Sequence, residues 1–378
     1  MLHLLRISNV DSTNEKVSGC TDQQLGQFLP ESNSSVELST GRSAIAYLIE
    51  KMGLTANDTV MLPSYVAEGV VRPFQLLGIN VDFYRLTPKL QPSLDDLSRL
   101  IGESSRARLI VVIHFFGFKA SIEPIRELIG TRDISILEDC AHALFGDYSP
   151  GKAFGTTGDF SLFSLNKFLP VPDGAILLSN NKKINLKERP LEFFIEDTDA
   201  TNAYLTHLKK NELLYHSNDP KESTRLIEES GRAYDLYYDK INTNLSFRAP
   251  SKNTREILKN LNFKELIHLR KRNVQFLYEN FSSKSIQLLN KDYSPDAVYF
   301  AIPVLAKNCQ ERNQIFKTFL QKGLFASTLI ERWNFIPKQK EPKYENEIDF
   351  MNRHLLLPIN EFLSLEDMKK IVSLLKQI

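Results

Sequence analysis

Cysteine and tryptophan are scarce in this chain of 378 residues, with three of the first and one of the second. Cys20, Cys140 and Cys309 lie far apart, are odd in number and form no Cys-x-x-Cys pair, which excludes a disulfide framework and a zinc site of the usual spacing. A reducing cytoplasm is the expected setting, with no metal. An excess of charge of either sign is also missing: 47 basic residues stand against 46 acidic ones, for a net charge of +1. No broad field draws nucleic acid or an anionic membrane, so the expected ligands are small molecules or protein. Nor is there a long hydrophobic run. Leu109 to Phe118, interrupted by His114, has about half of the ~20 apolar residues that a membrane-spanning helix needs, and it reads as a buried strand. Met1 to Cys20 mixes Arg6, Asp11, Glu15 and Lys16 among few apolar residues, so a secretory signal is not expected there. No Gly-x-Gly-x-x-Gly follows the first strand, which sets aside a dinucleotide-binding oxidoreductase. The basic run Arg270-Lys271-Arg272 is short and falls on a helical pattern, where a solvated face is expected.

What is present is an alternation. From Gly41 to about residue 180, short apolar runs alternate with helical patterns, the signature of a sheet with crossover helices. Ala44, Ile45, Leu48, Ile49 and Met52 recur at helical spacing, and Gly53 is placed to end that helix. The expected strands are Val60 to Leu62, Val81 to Tyr84, Leu109 to Ile113, Ile134 to Leu137, Phe160 to Leu165 and Ala175 to Leu178. Ser93-Leu94-Asp95-Asp96 and Ser121-Ile122-Glu123 have the form of helix N-terminal caps. Residues 186 to 245 turn charged and polar with scattered Leu and Tyr, consistent with exposed helices. After Arg248-Ala249-Pro250-Ser251, one long helical pattern runs through Ile257, Leu261, Leu266 and Leu269 toward Phe281. A strand at Val298 to Val304, a helix ending near Gly323, a strand at Leu324 to Thr328 and a last helix opened by Ser364 complete the pattern. The expected architecture is α/β in two domains. A large domain with a central, mostly parallel sheet spans 1–245, with its polar helical stretch at 186–245, and a smaller α+β domain spans 246–378.

Two residues carry the chemistry. Asp139 closes an apolar strand in Leu137-Glu138-Asp139-Cys140-Ala141-His142, at the edge where open sheets collect ligands. Lys167 follows Ser164-Leu165-Asn166 at the end of another strand. An aldehyde cofactor needs an amine to hold it as a Schiff base, and its pyridine ring needs a carboxylate to keep the ring nitrogen protonated. Lys167 supplies the first and Asp139 the second, which points to pyridoxal 5'-phosphate. Lys167 lies between Phe160-Ser161-Leu162-Phe163 and Phe168-Leu169-Pro170, and desolvation there favours the neutral amine that imine exchange needs. Once displaced, that amine is free to move a proton as general base and acid. Thr40-Gly41-Arg42-Ser43 precedes a helix, where unpaired N–H groups and the positive helix end favour a phosphate and Gly41 permits close approach. An ordinary capped turn is the alternative for Gly41, Arg42 and Ser43. Ser164 either binds the phosphate or is a plain strand serine. His142 either bonds the cofactor's phenolic oxygen or is a satisfied structural histidine. Tyr65, after Pro63-Ser64, either stacks on the pyridine ring or packs in the core.

Taken in order, Ser39-Thr40-Gly41-Arg42-Ser43-Ala44, Leu62-Pro63-Ser64-Tyr65, Glu138-Asp139-Cys140-Ala141-His142-Ala143 and Phe163-Ser164-Leu165-Asn166-Lys167 resemble the DegT/DnrJ/EryC1/StrS family of pyridoxal-phosphate-dependent sugar aminotransferases. Val111-Val112-Ile113-His114 leading to Gly117, and Leu355-Leu356-Leu357-Pro358, resemble it as well, so the likeness covers most of residues 39 to 378. The resemblance implies an aspartate-aminotransferase type of fold and a homodimer with active sites at the subunit interface. It also implies amino transfer from L-glutamate to a keto sugar carried on a nucleotide. Lysine at 167 separates the chain from the family's dehydratases, which carry histidine at that position. Other positions depart from the family pattern. Glutamine is more usual at His142, the stacking aromatic usually falls where this chain has Val66 and Ala67, and a glycine-rich segment is replaced by Pro170-Val171-Pro172-Asp173-Gly174. Arg248 is the candidate for the Asn-x-Arg element by which one subunit reaches the other's phosphate. A non-sugar ketone or aldehyde is the alternative acceptor, and a non-catalytic regulatory protein on the same fold is the alternative from another class.

Overall fold

A computed structural model describes residues 16–17, 23–186, 191–192, 198–217, 219–322, 326–336 and 342–378. A two-residue strand β1 (Lys16–Val17) and a short helix α1 (Gln23–Gly26) precede β2 (Ser34–Leu38), α2 (Gly41–Met52), β3 (Thr59–Pro63), α3 (Glu68–Leu76), β4 (Asn80–Tyr84) and α4 (Leu94–Glu103). Next come β5 (Ala107–Ile113), α5 (Glu123–Ile129), β6 (Ser135–Asp139), the small hairpin β7 (Asp147–Ser149) and β8 (Lys152–Ala153), then β9 (Phe160–Ser164) and β10 (Ala175–Ser179). Seven strands make one sheet in the order β2-β10-β9-β6-β5-β3-β4. β10 runs against both of its neighbours and every other pair is parallel, so the remaining six strands end at one common edge. Leu38, Ile113, Asp139 and Ser164 all finish there.

The near-continuous apolar runs of β3, β5 and β6 belong to strands covered on both faces. All of β5 except Arg108 is buried. α2 begins where Thr40 accepts a hydrogen bond from the Ser43 amide, and it stops at Gly53, whose φ of 63° is the left-handed conformation that a side chain disfavours. Ser93 caps α4 as expected, accepting from the Asp96 amide. Ser121 does not cap α5: that helix begins at Glu123 after Ile122, with no side-chain cap, and Pro124 in its first turn fixes the entry. β2 has no apolar run to announce it, because Ser-Ser-Val-Glu-Leu lies at the sheet's edge and is buried only at Ser34 and Leu38.

Beyond the sheet, β11 (Leu191–Glu192) pairs with β1, and α6 (Thr198–His216) packs along α7 (Pro220–Ile241). The single helix expected after Ser251 is two, α8 (Lys252–Lys259) and α9 (Phe263–Asn280), because Asn262 opens a new helix by accepting from the Glu265 amide. β12 (Ile286–Leu288), β13 (Ile302–Ala306), α10 (Cys309–Gln321), α11 (Glu345–Arg353), β14 (His354–Leu357) and α12 (Leu365–Gln377) complete the chain. β12, β13 and β14 form an antiparallel three-stranded sheet. β13 starts at Ile302 rather than Val298, because Phe300 is already committed to the turn after β5, its amide donating to Phe116 O at 2.9 Å. Of the strand expected at 324–328, residues 324 and 325 lie outside the described residues, and Ser327 makes an isolated bridge to Leu356. Ser364 opens α12 with a reciprocal capping box to Asp367.

Both apolar core clusters draw residues from either side of position 245. Arg270 is not on a solvated face: it is buried, its Nε donates to Glu361 at 2.8 Å and its Nη1 donates to Tyr299 O at 3.2 Å. No described helix is long and apolar enough to cross a membrane.

Candidate active site

A cavity opens at the common strand edge, between the start of α2, the start of α3 and the side of α7. It brings together Lys167, Asp139, His142, Ser164, Gly41 and Arg42, six of the residues singled out in the sequence. Ser43 and Tyr65 are not among its lining residues, and both expectations are corrected. The Ser43 amide and hydroxyl meet Thr40 Oγ1 at 3.1 and 3.0 Å, and the hydroxyl also reaches Asn244 O at 3.4 Å, so its polar atoms serve the helix cap. Tyr65 is fully buried among Phe115, Trp333 and Phe350, with its hydroxyl donating to Leu329 O at 2.8 Å. Ala67 and Trp333 line the cavity on that side, the Trp333 ring lying 4.9 Å from Tyr65 and 5.7 Å from His142.

Lys167 ends a single 3-10 turn, Leu165–Lys167, directly after β9. Leu165, Phe168 and Leu169 are buried on either side of it, and Nζ makes no hydrogen bond or ion pair with any described residue. The turn is pinned by the Leu165 amide on Gly174 O at 2.9 Å. Gly174 has φ 115°, and a β-carbon there would fall 2.8 Å from Leu165 Cδ1, so the proline-rich return to β10 requires this glycine.

Asp139 does not begin a helix. Its Oδ1 accepts from the Ala141 amide at 2.9 Å in a tight turn, while Oδ2 has no donor among the described residues. Burial pushes the carboxyl up to about 6, against the opposing pull of the Ala141 amide, His114 and Lys167. An acceptor with a raised pKa and an unspent oxygen at a cavity wall is suited to a cationic N–H partner. His142 is buried and stacked on Phe300, with ring centroids 4.3 Å apart and planes 3° from parallel. Its Nδ1 accepts from the Phe116 amide at 3.4 Å, which leaves the proton on Nε2. Burial, and after it the charge of Lys167, hold the imidazole well below its ordinary pKa, so it faces the cavity as a neutral donor.

Residues that the sequence did not reveal complete the wall. Tyr234, Tyr237, Tyr238 and Ile241 of α7 all line the cavity. Their spacing of three, four and seven residues puts them on one helical face, a signal present in Tyr234-Asp235-Leu236-Tyr237-Tyr238 but obscured by the surrounding charges. α6 and α7 are therefore helical as expected, yet one face of α7 is part of the site rather than an exposed surface. Arg248 does not line this cavity; it is ion-paired with Glu192.

The model of the DegT/DnrJ/EryC1/StrS aminotransferase family matches residues 21–213, just over half of the chain. The chain belongs to this family. GDP-perosamine synthase of Vibrio cholerae is 28% identical to this family member over 198 residues, covering 50% of this chain and 53% of that protein. GDP-perosamine synthase of Escherichia coli O157:H7 is 29% identical over 190 residues, covering 49% and 51%. The chain thus matches about half the length of these curated relatives. A putative sugar aminotransferase, Spr1654, from Streptococcus pneumoniae in its PLP form superposes with a TM-score of 0.70 at 13% identity, over 100% of this chain and 94% of that one. The fold is accordingly of the aspartate-aminotransferase type, with its large, mostly parallel sheet carrying the site at one edge. Within that frame, this DegT-family chain carries a proline-rich return after Lys167 and a tyrosine-bearing α7 at the cavity.

Proposed function

We propose that this chain is a pyridoxal-phosphate-dependent aminotransferase that moves an amino group from an amino acid, L-glutamate, to a keto sugar carried on a nucleotide. One observation carries the reading: Lys167 Nζ and Asp139 Oδ2, both without partners among the described residues, meet in one cavity beside the N-terminus of α2. The residues fit the cofactor, since a free amine, a buried unpaired carboxylate oxygen and a helix start are what its aldehyde, ring nitrogen and phosphate each require. Family membership and relatives named as synthases of GDP-perosamine support a nucleotide-linked sugar as acceptor.

Pyridoxal phosphate, when bound, supplies a carbonyl on which amines exchange and a ring that accepts the electron pair released at the substrate carbon. The chain's residues do the rest. Lys167 would hold the cofactor's carbonyl through Nζ, and its amine, once free, would serve as the base and acid that moves a proton at the substrate carbon. Asp139 would keep the ring nitrogen protonated through Oδ2, and His142 would offer Nε2–H to the phenolic oxygen. Gly41 and Arg42, at the start of α2, would face the phosphate, whereas the Ser164 hydroxyl already donates to Asn166 Oδ1 at 3.0 Å. Glutamate enters and 2-oxoglutarate leaves in one half of the cycle; the keto sugar enters and the amino sugar leaves in the other. A homodimer in a reducing cytoplasm belongs to the same proposal.

The test is the near-ultraviolet and visible spectrum of the purified protein with pyridoxal phosphate, before and after L-glutamate, beside Lys167→Ala. A cofactor band that needs Lys167 and changes on adding glutamate is expected. No band at cofactor excess would transfer the weight to a non-catalytic regulator on this fold.

A further inference from the structure

Between α6 and α7 lies a closed circuit of polar side chains that no step described above uses. His207 and, one turn on, Asn211 belong to α6, and the buried Ser230 belongs to α7. His207 Nδ1 lies 3.1 Å from the backbone oxygen of Ser230 and 2.9 Å from its Oγ. A carbonyl oxygen can only accept, so Nδ1 carries the imidazole proton and Nε2 is left as an acceptor. The remaining directions follow. Ser230 Oγ donates to Asn211 Oδ1 at 2.7 Å, and Asn211 Nδ2 donates to His207 Nε2 at 3.1 Å, which closes the circuit. Each of the three side chains gives one proton and takes one. Burial, opposed by the Ser230 carbonyl and joined by the charge of Lys167, holds the imidazole below its ordinary pKa.

Apolar packing between the two helices is slight. Ala200, Ala203, Tyr204, Tyr237 and Ile241 form a small cluster apart from the two main cores. Contacts of that kind tolerate sliding, and the ion pairs Lys210–Glu229 and Lys240–Asp199 are partly exposed, on side chains long enough to follow it. A closed polar circuit does not tolerate it, because a slip of one turn, about 5.4 Å, strands all three members. The register matters to the site. Tyr204 from α6 and Tyr237 from α7 both reach Asn166, the residue before Lys167, one at its backbone oxygen and the other at its side chain. The His207 ring packs on that side, 4.9 Å from Tyr234 in the cavity wall and 6.3 Å from Tyr204.

We propose that the His207–Asn211–Ser230 circuit fixes the register of α6 on α7 and thereby places the Lys167 amine, which makes His207 a positioning residue for amino transfer. The placement rests on the aminotransferase reading; the register does not.

The test uses the full chain. His207→Phe keeps the ring packing and loses both polar atoms, His207→Gln keeps a donor and an acceptor, and Ser230→Ala removes one link. At a temperature where all are folded, His207→Phe should lower kcat about tenfold, leave the donor KM within about twofold, and slow formation of the lysine-dependent cofactor band to a similar degree. His207→Gln should recover most of that loss, and Ser230→Ala should fall between. Should His207→Phe fail to fold, Ser230→Ala must by itself lower kcat by about threefold or more. Two measurements need no cofactor. The nitrogen NMR spectrum of histidine-labelled protein at pH 7 should show His207 neutral and protonated at Nδ1; a proton on Nε2, or a charged imidazole, overturns the circuit. Ser230 and Asn166 share no hydrogen-bond partner among the described residues. The melting shifts of Ser230→Ala and Asn166→Ala should nonetheless sum to more than that of the double variant, since one lost register releases both. Additive shifts, or variants that melt earlier yet keep kcat within about twofold, mark a merely structural circuit and overturn the placement. A parent that shows no lysine-dependent band defeats the aminotransferase reading instead, and the spectrum and the melting shifts still judge the circuit.

Discussion

The side-chain amide of Asn166 donates to the hydroxyl of Tyr237 at 3.0 Å, so the residue before Lys167 is held by a helix that lies outside the sheet. The Tyr237 hydroxyl donates in turn to Pro172 O at 2.7 Å, and the Tyr204 hydroxyl donates to Asn166 O at 3.0 Å. Ser164 completes the grip by donating to Asn166 Oδ1 at 3.0 Å. Lys167 therefore owes its position to α6 and α7 as much as to β9.

Tyr237→Phe removes an acceptor from Asn166 and a donor from Pro172 in a buried place, a cost of about 1–3 kcal/mol for groups left unsatisfied. Loss of lysine placement should lower kcat by roughly tenfold and leave the donor KM within about twofold. Steady-state kinetics on both half-reactions check this; a change confined to KM would mean that Tyr237 only contacts substrate.

Lys167→Ala is expected to reduce turnover by about 10³-fold or more, since one side chain serves as both anchor and proton carrier. The variant should still fold, because Nζ contributes no hydrogen bond to the described structure. Single-turnover assays with the preloaded amine form of the cofactor separate the two roles: added methylamine should restore part of the proton transfer.

Asp139 gives the cofactor-free protein a definite pH dependence. Between the ordinary carboxyl value of 3.8 and the folded value of about 6, the folded chain binds more protons than the unfolded one, so this group's contribution to stability is lost as pH rises through that window. Above it the loss levels at about 3 kcal/mol. Without cofactor, Asp139→Asn should melt a few degrees above the parent at pH 7 and level with it at pH 4. With cofactor the order should reverse. Calorimetry at the two pH values decides, and a less stable cofactor-free variant at pH 7 would rule the argument out.

Glu138, beside Asp139, has the opposite character. It is buried and accepts from His114 Nε2 at 2.8 Å and from the amides of Gly155, Thr157 and Gly158 at 2.6, 3.0 and 2.8 Å. Burial opposes its charge, but His114 and these amides outweigh burial and hold the carboxyl below its ordinary range. Glu138→Ala strands those donors and should cost about 3–5 kcal/mol. His114, Glu138 and Cys140 cluster closely enough to suggest a metal site, yet His114 Nδ1 already accepts from the Ala120 amide at 3.0 Å and its Nε2 is spent on Glu138. Neither chelator nor added zinc should move the melting temperature.

Much of the frame was legible because it is local. The apolar runs of β3, β5, β6 and β9, and the capped starts of α2, α4 and α12, follow from residues within one element. That Asp139 and Lys167 reach one cavity was legible because both stand at strand ends on a common sheet edge. The rest depends on partners distant in sequence. Ser34–Leu38 is a strand only because β10 pairs with it. Tyr65 looks equally fit for stacking or for the core, and Phe350 and Trp333, some three hundred residues later, decide for the core. The tyrosine face of α7 reads as surface until its packing against the sheet edge is known.

The double duty of α7 sets a limit on how this site can change. Tyr237 both lines the cavity and steadies the turn that carries Lys167, so a substitution made to admit a differently shaped acceptor also disturbs the placement of the amine. On the aminotransferase reading, selectivity and turnover are therefore coupled on that side. Ala67 and Val70 line the cavity from the loop before α3 and from α3 itself. On the same reading, enlarging or narrowing the site there should retune acceptor choice without touching the lysine's support, which makes those two positions the natural starting point for redesign.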